Sequence, residues 1–318
     1  MIQLANLIGT DDMKGITEEV KFIVSMMKPD FDFNHCEKAC QDVIRLFNGK
    51  HPGHQSCNTP YHDLHHTLLV LLAMVRLMHG FSIAENVEFS DEDINIGLIS
   101  ALMHDTGYHQ SIDDVEGTGA KYTTMHVQRS IGFVNHYYAD NSEFVNLLVS
   151  IRNVINCTDL GANIEEIRFT YDIERDIGYL LGVADLVGQM ADRYYLEKLL
   201  FLFDEFHKAD ITFFCDELDL LQKTFDFFET MKKRIALKFE GFDRFLLFHF
   251  KLRWDIEENL YNITIRRNMD YLEKILENTA NNYRSYLRRG RYVERYEKIQ
   301  NNEVSFNNNQ IALNSTGD

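Results

Sequence analysis

The segment Ser90–Asp105, SDEDINIGLISALMHD, decides the fold class that we predict for this chain. Ser90 is a residue type that caps helices, and the three acidic residues after it suit a first helical turn, where the helix dipole favours negative charge. Apolar residues then recur at helical spacing from Ile94 to Leu102. We therefore predict a helix that begins after Ser90 and runs into the polar pair His104 and Asp105.

The distribution of proline extends this prediction to the rest of the chain. Only Pro29, Pro52 and Pro60 occur, so residues beyond position 60 are free of the strongest helix breaker. The sequence shows no sustained strand-like alternation and no internal repeat. We predict an all-α fold, a single compact domain of many helices over residues 1–300, because no linker interrupts residues 60–300. The asparagine-rich segment 301–318 has too few apolar residues to pack, which predicts a disordered tail.

Apolar spacing predicts further helices on both sides of this segment. A loop is expected over Ser111–Ala120, which contains glycine and several acids. The predicted helices are Glu18–Met27, Glu37–Phe47, Leu64–His79, His126–Tyr138, Glu143–Val154, Asp176–Phe203, Asp216–Phe239, Phe245–Glu257 and Arg267–Gln300.

Composition limits the partners and the compartment that we expect. The chain has 318 residues and a net charge of -17, which disfavours binding to nucleic acid polymers and to anionic membranes. No apolar run is expected to approach the roughly 20 residues that span a bilayer. Five cysteines without a CxxC pair, and an N-terminus unlike a signal peptide, predict a cytoplasmic protein. A small anionic substrate stays compatible, because a divalent cation can reverse the local charge.

Three separate motifs together predict one metal site. They are YHDLHH at Tyr61–His66, ALMHD at Ala101–Asp105, and VADLV around Asp185. Imidazoles and carboxylates from such segments can hold a divalent cation. The pair His104 and Asp105 ends an apolar helix, where polar groups are costly to bury unless they are ligated or hydrogen-bonded. The alternative is a helix C-terminus whose dipole favours a histidine.

Spacing assigns different positions to the histidines of YHDLHH. If the following helix extends backwards, His62 and His66 share a face and His65 points about 100° away, outside the site. Apolar neighbours predict burial of Asp185, and Gln189 and Asp192 follow it at helical spacing. These two residues are expected to contact metal-bound water or, alternatively, to form an exposed polar stripe.

The order of histidine, His-Asp pair and distant aspartate resembles the HD superfamily of metal-dependent phosphohydrolases. The YHDLHH motif is similar to the YHNxxH signature of class I cyclic-nucleotide phosphodiesterase catalytic domains, with Asp63 in place of asparagine. The resemblance covers about residues 55–210. It implies an all-helical fold, two divalent cations (zinc with magnesium or manganese) and hydrolysis of a small, nucleotide-like phosphoester by a metal-activated hydroxide.

The resemblance also implies roles for individual residues of this chain. His66, His104, Asp105 and Asp185 match the ligands of the tighter metal, and Asp105 would bridge to the second ion. His62 matches the general acid that protonates the leaving oxygen, and Glu205 matches a glutamate that orients it. Further contacts with the second metal, water or the phosphate are expected from His109, His126, Lys121, Arg129, Asp159 and Gln189. The alternative for Lys121 and Arg129 is a surface salt bridge, and the alternative for Asp159 is a helix stop.

The chain departs from the phosphodiesterase pattern after the last ligand. The glutamine and aromatic clamp that hold the purine have no recognisable counterpart here, and the aromatic residues of this part are expected in the core. These residues are Phe213, Phe214, Phe225, Phe227 and Phe228.

Two other functions remain open at the level of sequence. One is a di-iron oxygenase on the same scaffold, which would use iron and add His109 and His126 as ligands. The other is a regulatory, ligand-binding protein with a vestigial metal site. The sequence does not indicate an oligomeric state.

Overall fold

A computed structural model describes residues 2–9, 13–279 and 282–301 of the chain. The all-α prediction is confirmed, since these residues form helices and no strand; they include one isolated bridge between His54 and Ser111. The predicted tail lies outside the described residues from position 302 onward.

The α-helices differ in length and are joined by loops that contain short 3₁₀ turns. The helices are α1 (Met13–Met27), α2 (Asn34–Phe47), α3 (Leu64–Glu85), α4 (Asp91–Met103), α5 (His126–Tyr137), α6 (Leu148–Asn156), α7 (Asp172–Met190), α8 (Tyr195–Lys208), α9 (Glu217–Lys238), α10 (Phe245–Trp254), α11 (Leu260–Thr279) and α12 (292–301). The 3₁₀ turns are Leu4–Asn6, Thr106–Tyr108, Gly119–Tyr122, Val145–Leu147, Ile164–Glu166, Phe242–Arg244, Tyr283–Ser285 and Arg289–Arg291.

Side-chain caps fix the beginnings of α3 and α4. Ser90 Oγ accepts a hydrogen bond of 3.1 Å from the Asp93 N–H, and the Asp93 carboxylate accepts one of 2.9 Å from the Ser90 N–H. The predicted start of α4 is therefore confirmed. Asp63 caps α3 by accepting from the His66 N–H at 2.9 Å. Its backbone is extended (φ -93°, ψ 176°), so the predicted backward extension of α3 through His62 is wrong.

The core is organised around α3, which packs against α1, α4, α7 and α10. Every residue from His66 to Phe81 is buried. α7 packs against α4, α6 and α11 as well as α3. The first turn of α3, the end of α4 and the C-terminal part of α7 lie close together.

α3 is also long and apolar enough to cross a membrane, by length and composition alone. The expectation that no apolar run approaches this length is therefore wrong for its 22 residues. Within the fold, 83% of its most apolar window is buried, which is the behaviour of a core helix.

Two predicted long helices are interrupted. The predicted helix Asp176–Phe203 is divided into α7 and α8, because Asp192 Oδ1 accepts from the Tyr194 N–H at 3.0 Å and so replaces a helical hydrogen bond. The predicted helix Arg267–Gln300 is divided into α11 and α12. Gly290, just before α12, has a φ of 64°, which is incompatible with a continuous right-handed helix.

We expect that replacing Gly80 by alanine lowers stability, whereas the same change at Gly132 does not. A Cβ atom at Gly80 would lie 1.8 Å from the Phe245 carbonyl oxygen, so α3 and α10 would have to separate. The expected cost is about 2 kcal/mol or more of unfolding free energy. Gly132 on α5 has nothing within 4 Å of such a Cβ, and Gly132→Ala should add up to about 1 kcal/mol. Chemical denaturation measures both; a Gly80→Ala protein as stable as the original would contradict the close packing.

Candidate metal centre

Four predicted ligands meet where α3, α4 and α7 converge. Asp105 Oδ2 lies 3.2 Å from His66 Nε2 and 3.2 Å from His104 Nε2. Asp185 Oδ1 approaches the same two nitrogen atoms, at 3.4 Å and 3.7 Å. We refer to His66, His104, Asp105 and Asp185 as the donor cluster. Within it, His66, His104 and Asp105 are all buried and form a group that can hold a metal ion.

The geometry of the donor cluster fits a cation better than hydrogen bonding. His104 Nδ1 lies 2.9 Å from the Ala101 carbonyl oxygen and donates to it, so Nε2 is left as the ligand atom. His104 Nε2 and Asp105 Oδ2 are buried and have no hydrogen-bond partner among the described residues. Ligand atoms around tetrahedral zinc are about 3.3 Å apart, given bonds of about 2.0–2.1 Å. The donor cluster therefore fits a divalent cation.

Electrostatics in the cluster is dominated by its two carboxylates. Burial alone would lower the pKa of His66, but the neighbouring Asp105 and Asp185 carboxylates outweigh burial and raise this pKa to about 10. Burial likewise lowers the pKa of His104, and Asp105 reverses the direction. Burial raises the pKa of Asp105, whereas His104 and His66 hold it well below its usual value. Positive charge is thus strongly favoured beside these carboxylates.

The second oxygen of Asp105 faces a different histidine. Asp105 Oδ1 lies 3.7 Å from His126 Nε2, at the start of α5. His126 Nδ1 donates to the Thr123 carbonyl oxygen at 2.6 Å, which directs Nε2 towards Asp105. Asp105 consequently lies between the imidazoles of His66 and His104 on one side and that of His126 on the other.

His62 is held beside the donor cluster by a buried carboxylate. His62 Nδ1 lies 2.7 Å from Glu205 Oε2, and Glu205 Oε1 accepts from the Tyr61 N–H at 2.7 Å. Glu205 is 1% exposed. The ring centres of His62 and His66 are 5.8 Å apart. The structure therefore brings together the residues predicted as proton donor, orienting group and ligand, although His62 lies before α3.

Tyr108 is a residue of this site that the sequence analysis did not single out. Its ring stacks on His62 with centres 4.4 Å apart and on His126 with centres 4.6 Å apart. It lies three residues after Asp105 in the sequence HDTGYH, and this proximity is the only signal that could have identified it. Tyr108 restricts the orientation of both imidazoles.

Gln189 and Asp192 face different surroundings. The Tyr61 hydroxyl donates to Gln189 Oε1 at 2.8 Å, and the Gln189 amide donates to the Asp185 carbonyl oxygen at 3.2 Å. Gln189 thus lies beside the donor cluster. Asp192 lies beyond the end of α7 at Met190 and instead contacts Lys198 at 3.2 Å and His65 at 3.6 Å. It is 6% exposed, so the alternative of an exposed polar stripe is wrong for Asp192, and its contact with metal-bound water stays a prediction.

Three further predicted contacts are not brought to the donor cluster. His109 is buried against Phe47, and burial lowers its pKa to about 4. Lys121 pairs with Asp114. Arg129 donates to the carbonyl oxygens of Gly107 and His109 at 2.7 Å and 2.8 Å. Asp114 and backbone carbonyl oxygens thus hold Lys121 and Arg129, whereas both ring nitrogens of His109 are buried without a hydrogen-bond partner among the described residues. The expected contacts of these three residues with metal or phosphate stay predictions.

A cavity of about 600 Å³ adjoins the donor cluster. Its lining includes His62, Asp105, Asp185 and Asp159. Asp159 Oδ1 accepts from the Gly161 N–H at 2.7 Å, so it caps a turn. The rest of the lining is mostly apolar. We use "the cavity" for this space below.

The predicted core position of the downstream aromatic residues is wrong for Phe213. It is 78% exposed and lines the cavity, as do Phe214 and Phe227. α8 ends at Lys208, and Asp210 adopts a left-handed φ of 56° that reverses the chain. The loop then folds back, with the Ile211 N–H donating to the Phe206 carbonyl oxygen at 2.9 Å. This turn carries the two aromatic residues to the cavity.

Comparison with known proteins gives one finding and one negative result. A family model described as Npun_R2479-like matches residues 52–231, which is more than half of the chain. The matched range contains the donor cluster, His62, His126 and Glu205. No curated protein matches the chain.

Proposed function

The chain belongs to the Npun_R2479-like family, and we propose that it is a metal-dependent hydrolase of small phosphoesters. One observation carries this proposal. The two carboxylates of a donor cluster suited to a cation, and a histidine oriented by a buried carboxylate, line one cavity. The resemblance to HD phosphohydrolases, and to phosphodiesterases in particular, supports the same chemistry.

The donor cluster would hold one divalent cation, and Asp105 Oδ1 with His126 would contribute to holding a second. Bound divalent cations supply Lewis acidity towards the phosphoryl group and activate water near neutral pH. The metals that suit these nitrogen and oxygen donors are zinc, magnesium, manganese and iron. Asp105 would provide one oxygen to each cation, so the binding of both cations would depend on it.

His62 supplies the proton that the leaving alkoxide requires. Its Nδ1 is engaged with Glu205, so Nε2 is the atom available to a substrate in the cavity. The Glu205 carboxylate holds the imidazole in one tautomer and stabilises it when it carries a positive charge. Stacking on Tyr108 keeps the ring from rotating.

The two histidines that a di-iron oxygenase would add as ligands have different surroundings. The oxygenase alternative required both His109 and His126 as additional ligands. His109 is packed against Phe47, and His126 is the one of the pair that approaches Asp105. A regulatory protein with a vestigial site is distinguished by experiment.

Metal analysis combined with a substrate screen tests the proposal. We expect the purified protein to contain a transition metal and to hydrolyse at least one phosphoester when loaded with Mn²⁺ or Mg²⁺. The panel should include alkyl phosphates, phosphodiesters, and cyclic and linear nucleotides. Loaded protein that hydrolyses none of them would overturn the proposal. Iron content with substrate-dependent oxygen consumption would favour the oxygenase, and ligand binding that is unchanged in His104→Ala would favour the regulator.

A further inference from the structure

One part of the cavity wall is built from apolar side chains. α8 contributes one row, the loop after it contributes two residues and α9 completes the wall. These residues are Leu199, Leu202, Phe206, Ile211, Phe214 and Phe227. Phe206 and Phe214 are stacked, with ring centres 5.7 Å apart and planes at 13°. The wall therefore offers an extended apolar surface to the part of a substrate that points away from the metal.

Apolar residues also surround the opening of the cavity. Met125 is 50% exposed, Leu160 53% and Phe213 78%, and all three line the cavity. They come from three different segments of the chain, before α5, after α6 and after α8. Soluble proteins rarely expose large apolar side chains next to one another, and where they do, the surface usually binds an apolar ligand or partner.

Several polar groups of the lining already make hydrogen bonds within the protein. The Thr158 and Thr224 hydroxyls donate to backbone carbonyl oxygens at 2.8 Å and 2.9 Å. The Gln189 side chain uses its oxygen and its amide on Tyr61 and Asp185. The Lys223 ammonium is 2.9 Å from both Asp219 and the Phe213 carbonyl oxygen.

A lining whose polar groups are paired within the protein disfavours a nucleobase and favours a hydrocarbon. A base has several donors and acceptors, and each one that is buried without a partner costs free energy. An alkyl group has none, and each buried methylene improves binding by a factor of about 4. A volume of about 600 Å³ also lies within the range of ligand cavities, which is about 300–1,000 Å³.

We infer that the cavity binds the alcohol portion of the substrate and that this alcohol is apolar. The substrate class is a phosphoester of a hydrophobic alcohol, such as a medium-length alkyl or isoprenoid chain. The phosphoryl group lies at the donor cluster and the hydrocarbon lies against α8, α9 and the loop between them. The inference rests on the proposed phosphohydrolase function for the identity of the head group.

Binding of non-hydrolysable phosphonates tests the apolar specificity without turnover. Ethylphosphonate and octylphosphonate share the head group, and calorimetry on the Mn²⁺-loaded full chain compares them. We expect octylphosphonate to bind at least about 100-fold more tightly, since it buries several more methylenes. Equal affinity for the two compounds would overturn the inference.

Matched variants locate the alkyl chain of bound octylphosphonate. Phe213→Ser combined with Phe214→Ala should weaken octylphosphonate binding by about 10-fold and leave ethylphosphonate binding unchanged. Leu237→Ser is the control, because Leu237 is 77% exposed, like Phe213, and does not line the cavity. If the double variant left octylphosphonate affinity unchanged, the inference would be overturned. Equal weakening by Leu237→Ser would also overturn it, because either result would place the bound alkyl chain elsewhere.

Hydrolysis assays separate this inference from the proposed function. Octyl phosphate, ethyl phosphate and a nucleoside monophosphate are compared with the same metal. Preference for octyl phosphate supports both the hydrolase function and the apolar specificity. Turnover of the nucleotide alone keeps the hydrolase function and overturns the apolar specificity. No turnover of any ester, together with tight octylphosphonate binding, overturns the hydrolase and supports the ligand class.

Discussion

Replacing Asp105 by asparagine is expected to remove bound metal and turnover together. Its Oδ2 lies 3.2 Å from two ligand nitrogen atoms, and its Oδ1 lies 3.7 Å from His126. An amide removes the negative charge and replaces one oxygen by a donor. The loss of groups that merely support a ligand lowers metal affinity by about 10- to 100-fold, and a ligand itself should matter at least as much. Elemental analysis and phosphoester hydrolysis measure the two losses.

A matched substitution on the same cavity controls for this experiment. Asp159→Asn makes the same chemical change, and its side-chain oxygen can still accept from the Gly161 N–H. We expect it to keep its metal content. Circular dichroism should show that Asp105→Asn is folded. A folded Asp105→Asn protein with its full metal content would remove Asp105 from the ligands.

Replacing His62 by alanine should leave the metal in place and slow the reaction selectively. His62 contacts Glu205 and lies beside the donor cluster, but it is outside the ligand set. A general acid contributes about 10²–10⁴-fold to rate when the leaving group is poor. We therefore expect that loss with an alkyl ester and a much smaller loss with a nitrophenyl ester, whose leaving group needs no proton. Steady-state kinetics on both esters measures the difference.

Glu205→Gln separates orientation from proton donation. The amide oxygen can still accept from the Tyr61 N–H, so the backbone contact of 2.7 Å is retained. Its neutral side chain stabilises a protonated His62 less well, so we expect a partial rate loss with the same leaving-group dependence. If His62→Ala slowed both esters equally, His62 would not be the general acid.

The sequence predicts elements whose signals are local. The cap at Ser90 and the apolar spacing after it define α4 within one residue of its observed end. His104 and Asp105 follow directly, so their burial could be inferred from the same segment. The ligand set and the role of Glu205 required more than spacing. They followed from the resemblance, because helices far apart in sequence provide these residues.

The parts that the sequence did not reveal depend on contacts between distant segments. Asp192 has helical spacing from Asp185, yet its carboxylate caps a turn and pairs with Lys198. His109 is close to the ligands in sequence, but Phe47 determines where its ring packs. Phe213 looks like a core residue in sequence, and the reversal at Asp210 exposes it. In each case a contact or a chain reversal that no periodic pattern identifies decides the position.

The position of Glu205 on α8 links the choice of substrate to proton transfer by His62. Its helix α8 also carries Leu199, Leu202 and Phe206, so a change that shifts this helix to admit a different alcohol also moves the carboxylate that holds His62. The loop after α8 carries Phe213 and Phe214 and none of the proposed catalytic groups. Evolution can therefore broaden the range of accepted alcohols through this loop at little cost in rate, whereas changes in α8 alter recognition and proton transfer at once.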